Sequence, residues 1–270
     1  MNKTVKDLMH KGLIICPPNA SLGQVAAMLT KHHVHALIVA ETADTPLGII
    51  SDIDLVAGEW LSVDKESLEA MRKMTARDLM TVPIETIDAE TPVEQAAKTM
   101  FAKQIHRMLV SEKGSPVGVI SISNFVADIA AQEKTRRETV GDVMSDTFLV
   151  CRDQTTILSA ARTMTQAGWR SVVVVDANGK PLGVVTGNDI LRFAGKRVDE
   201  SLTVSDVMNR NLLTVDMNAS LQEAADLMIQ NHKHRVIVID SGNPDNFPLG
   251  VISSFDIVAE MAKPGSIWQS

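Results

Sequence analysis

The chain has 270 residues, 45% of them hydrophobic, and a formal net charge of −7 at neutral pH. That is enough for one large domain or two ordinary ones with real cores, and the acidic balance argues against a sequence-independent nucleic-acid binder, which needs a basic surface. Aromatics make up only 3% and tyrosine is absent, so the cores must be built from Val, Ile, Leu, Ala and Met; Cys16 and Cys151 form no CxxC pair and give neither a disulfide framework nor a zinc site.

In chain order, the N-terminal "MNKTVKDLMHK" lacks the apolar stretch of a secretory signal, and runs such as Val172 to Val175 are too short to cross a bilayer. A soluble, cytoplasmic protein without membrane insertion is expected. The first element opens with "VKDLM" at Val5 and continues into the extended "LIIC". Ser21 with Gln24 forms a capping box that starts a helix carrying Ala26 and Ala27, small residues that let a helix lie close to a sheet. Two β-rich runs follow, "HALIVAE" and "GIISDIDL", the second leading into a further helix. Glu59 to Met74 is expected to be a joining helix. The same series then repeats. "ARDLM" at Ala76 leads to a box of Thr91 with Glu94, then Ala96 to Met100, "HRMLVSE", and "GVISISNF" from Gly118. The charged "AQEKTRRE", Ala131 to Glu138, reads as a linker. "VGDVM" at Val140 leads to Thr156, a cap without a box partner, then "RSVVVVD", the turn from Asp176 to Pro181, and "GVVTGNDI". "VSDVM" at Val204 leads to Ser220 with Glu223, "HRVIVID" and "GVISSFDI".

The opening aspartates Asp7, Asp78, Asp142 and Asp206 step by 71, 64 and 64 residues, and the closing hydroxyls Ser51, Ser121, Thr186 and Ser253 by 70, 65 and 67. Two independent markers in one order define four tandem copies, at 4–58, 75–131, 139–195 and 203–262. Each reads β-α-β-β-α, an α/β fold class. One copy of about 55 residues buries too little surface to stand alone. The expected pairing is copy one with two and three with four, giving modules 1–131 and 139–270.

Two columns of residues could hold a ligand. In the closing G-(apolar)₂-S/T-x-x-D, the glycine permits close backbone approach, and Ser51, Thr186 and Ser253 end a strand. Asp54, Asp189 and Asp256 fall in the first turn of the next helix, where the dipole favours an ionised carboxylate that can accept both hydroxyls of a vicinal diol such as ribose. Simple helix capping explains any single copy equally well. The second copy carries Ser121 and Asn124, an amide without charge. The other column precedes the middle strand: His35, His106, Arg170 and His234, followed by Ala36, Arg107, Ser171 and Arg235. Basic groups there suit phosphate, or form a solvated rim. The clusters "KHHVH" and "HKHR" lack the carboxylate or thiol partners of a closed metal site, so no metal is expected.

The repeated unit, the "DVM" opening and the G-h-h-S/T-x-x-D closing resemble the CBS domain, and four copies resemble two Bateman modules, as in the γ subunit of AMP-activated protein kinase with its "HR" before the strand of the second and fourth copies. The resemblance implies adenosine-type ligands (AMP, ADP, ATP or S-adenosylmethionine) in clefts between paired repeats. Asp54, Asp189 and Asp256 would then meet ribose, helped by Ser51, Thr186 and Ser253 and, more weakly, Ser121 and Asn124. His35, His106, Arg107, Arg170, His234 and Arg235 would face phosphate, and Thr86 and Thr214 would border the base. The implied protein is a non-catalytic sensor acting on a separate target protein, its modules forming a disc within one chain or through a homodimer. The alternative is a docking module with empty pockets. An enzyme has least support: the sequence holds no P-loop, G-x-S-x-G elbow or H-E-x-x-H.

Overall fold

In a computed structural model, residues 3–52, 54–55, 73–131, 139–169, 171–191, 201–242 and 247–263 are described. The expected joining helix after Glu59 and the charged linker before Thr139 fall almost wholly outside them. The chain forms two compact units, each holding the bodies of two repeats.

One unit comprises Met1–Gly12, Glu85–Phe148 and Leu212–Ser270, and so holds the second and fourth repeats. In the second, strand β5 (Thr86–Asp88) lies parallel to β6 (Arg107–Glu112), which pairs antiparallel with β7 (Ser115–Ser121). Helix α4 (Val93–Lys103) crosses from β5 to β6, and α5 (Ile122–Ala130) follows β7. The fourth repeat has the same plan: β11 (Thr214–Asp216), α10 (Leu221–Gln230), β12 (Arg235–Ile239), β13 (Gly250–Ser253) and α11 (Ser254–Met261). Helix α5 packs on α10, and α11 on α4 and α5. One core therefore serves both repeats, with Met100, Phe125, Ile129, Met228 and Ile257 almost fully buried in it. Methionine and small residues fill a core that has few aromatics to use.

The other unit comprises Leu13–Ile84 and Leu149–Asn211. It holds the first repeat's β2 (Ile15–Cys16), α2 (Leu22–His32), β3 (Ala36–Ala40) and β4 (Pro46–Ser51). From the third repeat it holds β8 (Val150–Arg152), α7 (Ile157–Ala167), β9 (Ser171–Val175), β10 (Pro181–Thr186) and α8 (Gly187–Leu191). Each sheet again has a parallel and an antiparallel edge around its middle strand. Separate apolar clusters hold each: Val25, Leu37, Val39 and Ile50 in one, Ile157, Met164, Val174 and Ile190 in the other.

The four openers are one-turn helices: α1 (Val5–Leu8), α3 (Ala76–Leu79), α6 (Val140–Val143) and α9 (Val204–Val207). Each packs on the body of its neighbour in sequence. From the first opener, Val5 and Lys6 donate backbone N–H bonds to Thr91 (2.8 Å) and Ala89 (2.9 Å), and strand β1 (His10–Lys11) pairs with β7. The second opener returns to the first repeat, with Ala76 N–H to Ala20 at 2.8 Å and Thr81 N–H to Ile49 at 2.8 Å. The third and fourth exchange in the same way: Val140 N–H reaches Ala219 at 2.8 Å, and Val204 N–H reaches Thr155 at 2.8 Å. A repeat in sequence is thus not a repeat in space; each folded body is completed by the other's opener.

Three local expectations need correction. The helix after β5 is not capped by Thr91 with Glu94: its N-cap is Pro92, whose side chain makes no cap bond. Proline holds φ at −57°, and the exchanged opener supplies the missing acceptor, since Val93 N–H donates to Lys3 carbonyl at 3.1 Å. In α2 the close-packed positions are Val25 and Ala26 rather than Ala26 and Ala27, because Ala27 is exposed. The third correction concerns the closing glycines. A Cβ on Gly48 would lie 2.5 Å from Met80 Sδ; on Gly183, 2.7 Å from Met208 Sδ; on Gly250, 2.6 Å from the Ser145 carbonyl and 2.9 Å from Met144 Sδ. On Gly118 it would strike the His10 carbonyl. These glycines admit the exchanged opener, not a ligand. The two sequence markers are two halves of one contact.

Candidate functional site

The closing strand, the middle strand and the following helix meet at one corner in every repeat. Antiparallel register sets Ala36 opposite Ser51, Arg107 opposite Ser121, Ser171 opposite Thr186 and Arg235 opposite Ser253. Opposed residues share a face of the sheet, so the two ligand columns stand side by side. The column one residue earlier is tied in by backbone: Asp52, Ile122 and Ser254 donate N–H bonds to the carbonyls of His35 (3.1 Å), His106 (3.1 Å) and His234 (2.9 Å). Arg170 lies outside the described residues.

At each corner the first-turn side chain reaches back to the hydroxyl residue in the manner of an N-terminal capping box, and at Ser121 and Ser253 both halves of the box are present. Asp54 Oδ2 accepts from Ser51 N–H at 2.7 Å and Oγ–H at 2.6 Å. Asp189 Oδ2 accepts from Thr186 at 2.9 and 2.6 Å, and Asp256 Oδ2 from Ser253 at 2.7 and 2.6 Å. Asn124 Oδ1 takes the same two bonds from Ser121, both at 2.8 Å. Asparagine preserves the side-chain half of the cap because one oxygen takes both bonds from the hydroxyl residue. What it changes is the other atom: in Asp189 and Asp256 the second oxygen lies outside the cap as an acceptor, whereas Asn124 presents an NH₂ donor.

The corners differ in charge. Burial pushes the Asp256 carboxyl above the usual value, opposed by the two Ser253 hydrogen bonds and by the charge of Arg235. In the first repeat, His35 Nδ1 lies 2.9 Å from Asp52 Oδ2, an ion pair when the ring is protonated. Asp52 is only 8% exposed and was not among the expected site residues. Its signal was the second acid in "GIISDIDL", directly after the hydroxyl, where the other copies have Ile122, Gly187 and Ser254. His106 faces an aromatic ring: Phe255 lies 5.0 Å away between centroids, tilted by 47°. Thr86 and Thr214 are exposed on the parallel edge strands, in register with Leu109 and Ile237, two residues past the opposed arginines. Among the described residues no group of three or more His, Cys, Asp or Glu could hold a metal ion, and no helix is long and apolar enough to cross a membrane.

The openers carry a second set of boxes. Asp7, Asp78, Asp142 and Asp206 accept from the N–H and hydroxyl of Thr4, Thr75, Thr139 and Thr203, with N–H bonds of 2.7–2.8 Å. The opening aspartate is therefore a cap, and its signal was the threonine three residues before it.

These repeats match the CBS domain over residues 5–58, 76–131, 140–196 and 204–263. A protein of Methanocaldococcus jannaschii, MJ1404, is 28% identical over 202 residues, 73% of this chain and 46% of its own length. The chain thus spans about half of that relative. MJ1225 from the same organism is 19% identical over 96% of this chain and 99% of its own. The crystal structure of MJ1225, a proposed archaeal homologue of γ-AMPK, superposes over 95% of this chain and 99% of its own at 17% identity with a TM-score of 0.83. CBSX2 of Arabidopsis thaliana is 27% identical over 71% of this chain and 63% of its own length. A CBSX2 structure in complex with AMP, 25% identical, covers 46% of this chain and 94% of its own with a TM-score of 0.41. The four matched segments leave little of the chain uncovered: this is a CBS-domain protein with four repeats in two Bateman modules, and it belongs to the CBS-domain family.

Proposed function

We propose that the protein is a regulatory sensor that binds adenosine-type ligands at the closing corners and passes occupancy to a separate target protein as a change in conformation. One observation carries this reading. In three of four repeats a first-turn carboxylate has one oxygen committed to the cap, directly beside a column that supplies Arg235, His234 and His35. A fixed acceptor beside a basic column suits a ribose diol joined to phosphate. Asp54, Asp189 and Asp256 would meet ribose, with Ser51, Thr186 and Ser253 holding them in place and Ser121 with Asn124 forming the weaker copy. His35, His106, Arg107, Arg170, His234 and Arg235 would face phosphate, and Thr86 and Thr214 the base. AMP, ADP, ATP and S-adenosylmethionine all carry the diol, and the chemistry needs no metal. Pairing of the first repeat with the second and the third with the fourth, in the cytoplasm, belongs to the same proposal. So does assembly of the disc, within one chain or through a homodimer.

Asn124 favours a second reading, a docking module, because an amide completes the cap without any charge. Calorimetric titration of the purified chain with AMP, ATP and S-adenosylmethionine separates the two. AMP is the first probe, as the ligand held by the relative CBSX2. Micromolar binding of one of them, weakened several-fold for its 2′-deoxy counterpart, is the expected result. No heat with any of the three leaves the docking module.

A further inference from the structure

His106 and Phe255 belong to different Bateman modules yet meet in one unit. His106 ends the loop before β6 and stands one residue before Arg107; Phe255 is the second residue of α11, immediately before Asp256. Their ring centroids are 5.0 Å apart at an interplanar angle of 47°, and Phe101 of α4 lies 6.0 Å from Phe255 on a 31° tilt. Both distances fall in the range of favourable aromatic pairs. Aligning the closing motifs puts Ser123 of the second repeat at the place of Phe255. The stack stands out in a chain where aromatics are only 3% of residues.

We infer that Phe255 is a positioning residue that fixes the imidazole of His106 toward phosphate and ties it to the helix turn carrying Asp256, so that the nucleotide corners of the second and fourth repeats are coupled. This rests on the nucleotide reading above. A ligand that orders Asp256 and its turn also orders Phe255, and with it His106 two repeats away in sequence. The energy available is that of an aromatic pair, so the effect is modest and specific to the phosphate end.

The test uses the full-length chain with AMP and adenosine as probes. Phe255→Leu should weaken AMP by about three- to tenfold, the equivalent of one aromatic pair, and leave adenosine within about twofold. Phe255→Trp should restore AMP affinity. His106→Gln should reproduce the AMP loss, and the double variant Phe255→Leu/His106→Gln should lose no more than either alone. In NMR spectra the His106 ring protons should be shifted upfield by the Phe255 ring and return toward ordinary values in Phe255→Leu. Should the leucine variant not fold, Phe255→Met replaces the ring at similar volume. Equal weakening of AMP and adenosine, additive losses in the double variant, or an unshifted His106 resonance would overturn the inference. If the unmodified chain binds neither AMP nor adenosine, the inference is overturned before any variant is made, and the titrations with ATP and S-adenosylmethionine show whether the adenosine-ligand reading falls with it.

Discussion

Asp256 has two jobs that one substitution can separate. Its Oδ2 accepts from the Ser253 N–H and hydroxyl at the start of α11, and under the proposed function its Oδ1 would be the acceptor offered to a diol. Asp256→Ala removes both, so it should lower stability by about 1 kcal/mol as well as abolish the ligand contact. Asp256→Asn keeps the cap, as Asn124 does in the second repeat, and should leave the melting temperature nearly unchanged. Its AMP affinity should nonetheless fall by roughly 1–3 kcal/mol, about 5- to 150-fold, the worth of a charged hydrogen-bond partner. Differential scanning calorimetry and AMP titration of the two variants make the comparison. If Asn binds as well as Asp, the carboxylate is only a cap. Asn124→Asp is the mirror experiment and should add AMP affinity without adding stability. The capping box itself was legible from S/T-x-x-D; that the same oxygen takes both bonds, leaving the chemistry to its twin, was not, because sequence gives spacing and not which atom points where.

At the level of elements, the exchange of openers rests on contacts between methionine and glycine that differ in what can yield. At Gly48 the nearest atoms to an added Cβ are all from the Met80 side chain, whereas at Gly250 the nearest is the backbone carbonyl of Ser145. Gly48→Ala should therefore cost about 1–3 kcal/mol and be partly rescued by Met80→Ala, while Gly250→Ala should cost as much and gain little from Met144→Ala. Chemical denaturation of the two double-mutant cycles checks this; equal rescue would mean that the backbone moves as freely as methionine. The exchange is also expected to be acid-labile. Thr4, Thr75, Thr139 and Thr203 hold the carboxyls of Asp7, Asp78, Asp142 and Asp206 below the usual value, through their N–H bonds first and their hydroxyls second. A carboxyl lowered on folding stabilises above its ordinary value of 3.8 and loses that contribution as pH falls through the lowered one. Asp256 has the opposite sign, its contribution being largest at low pH. Amide exchange of the opener N–H groups between about pH 5 and pH 3 should show the four openers releasing before the sheets do. Sheets that release first would place the acid sensitivity elsewhere. Four copies, their order and their β-α-β-β-α plan followed from two recurring markers. The exchange did not, because "VKDLM" is the same amphipathic turn whichever body it covers, and a glycine that admits methionine reads like one that admits a ligand.

Across the whole chain, the boundary between modules in sequence is not a boundary between cores. Residues 1–131 and 139–270 divide cleanly at a charged stretch, yet Met100, Phe125 and Ile129 from one side share a single buried cluster with Leu221, Met228 and Ile257 from the other. Cutting at the charged stretch would bare the faces of α10 and α11 that α5 and α4 cover. An apolar surface of that kind does not stay in water as a monomer. The fourth repeat's helices repeat the pattern of the second's, with Ala224 and Ala225 where α4 has Ala96 and Ala97, all fully buried. A second copy of the same fragment can therefore supply the missing helices. Residues 132–270 expressed alone should be a dimer that dissociates on dilution, and Met228→Lys should leave it monomeric and poorly folded. Light scattering over a hundredfold range of concentration checks this. A well-folded monomer with the melting temperature of the intact chain would mean that each module closes its own core, and that the shared cluster is packing the protein does not need. The inequality of the corners is for this reason better measured in the full chain, by comparing AMP stoichiometry in Asp54→Asn, Asp189→Asn and Asp256→Asn. Each preserves its cap, so a site lost from the isotherm is a site that used the carboxylate.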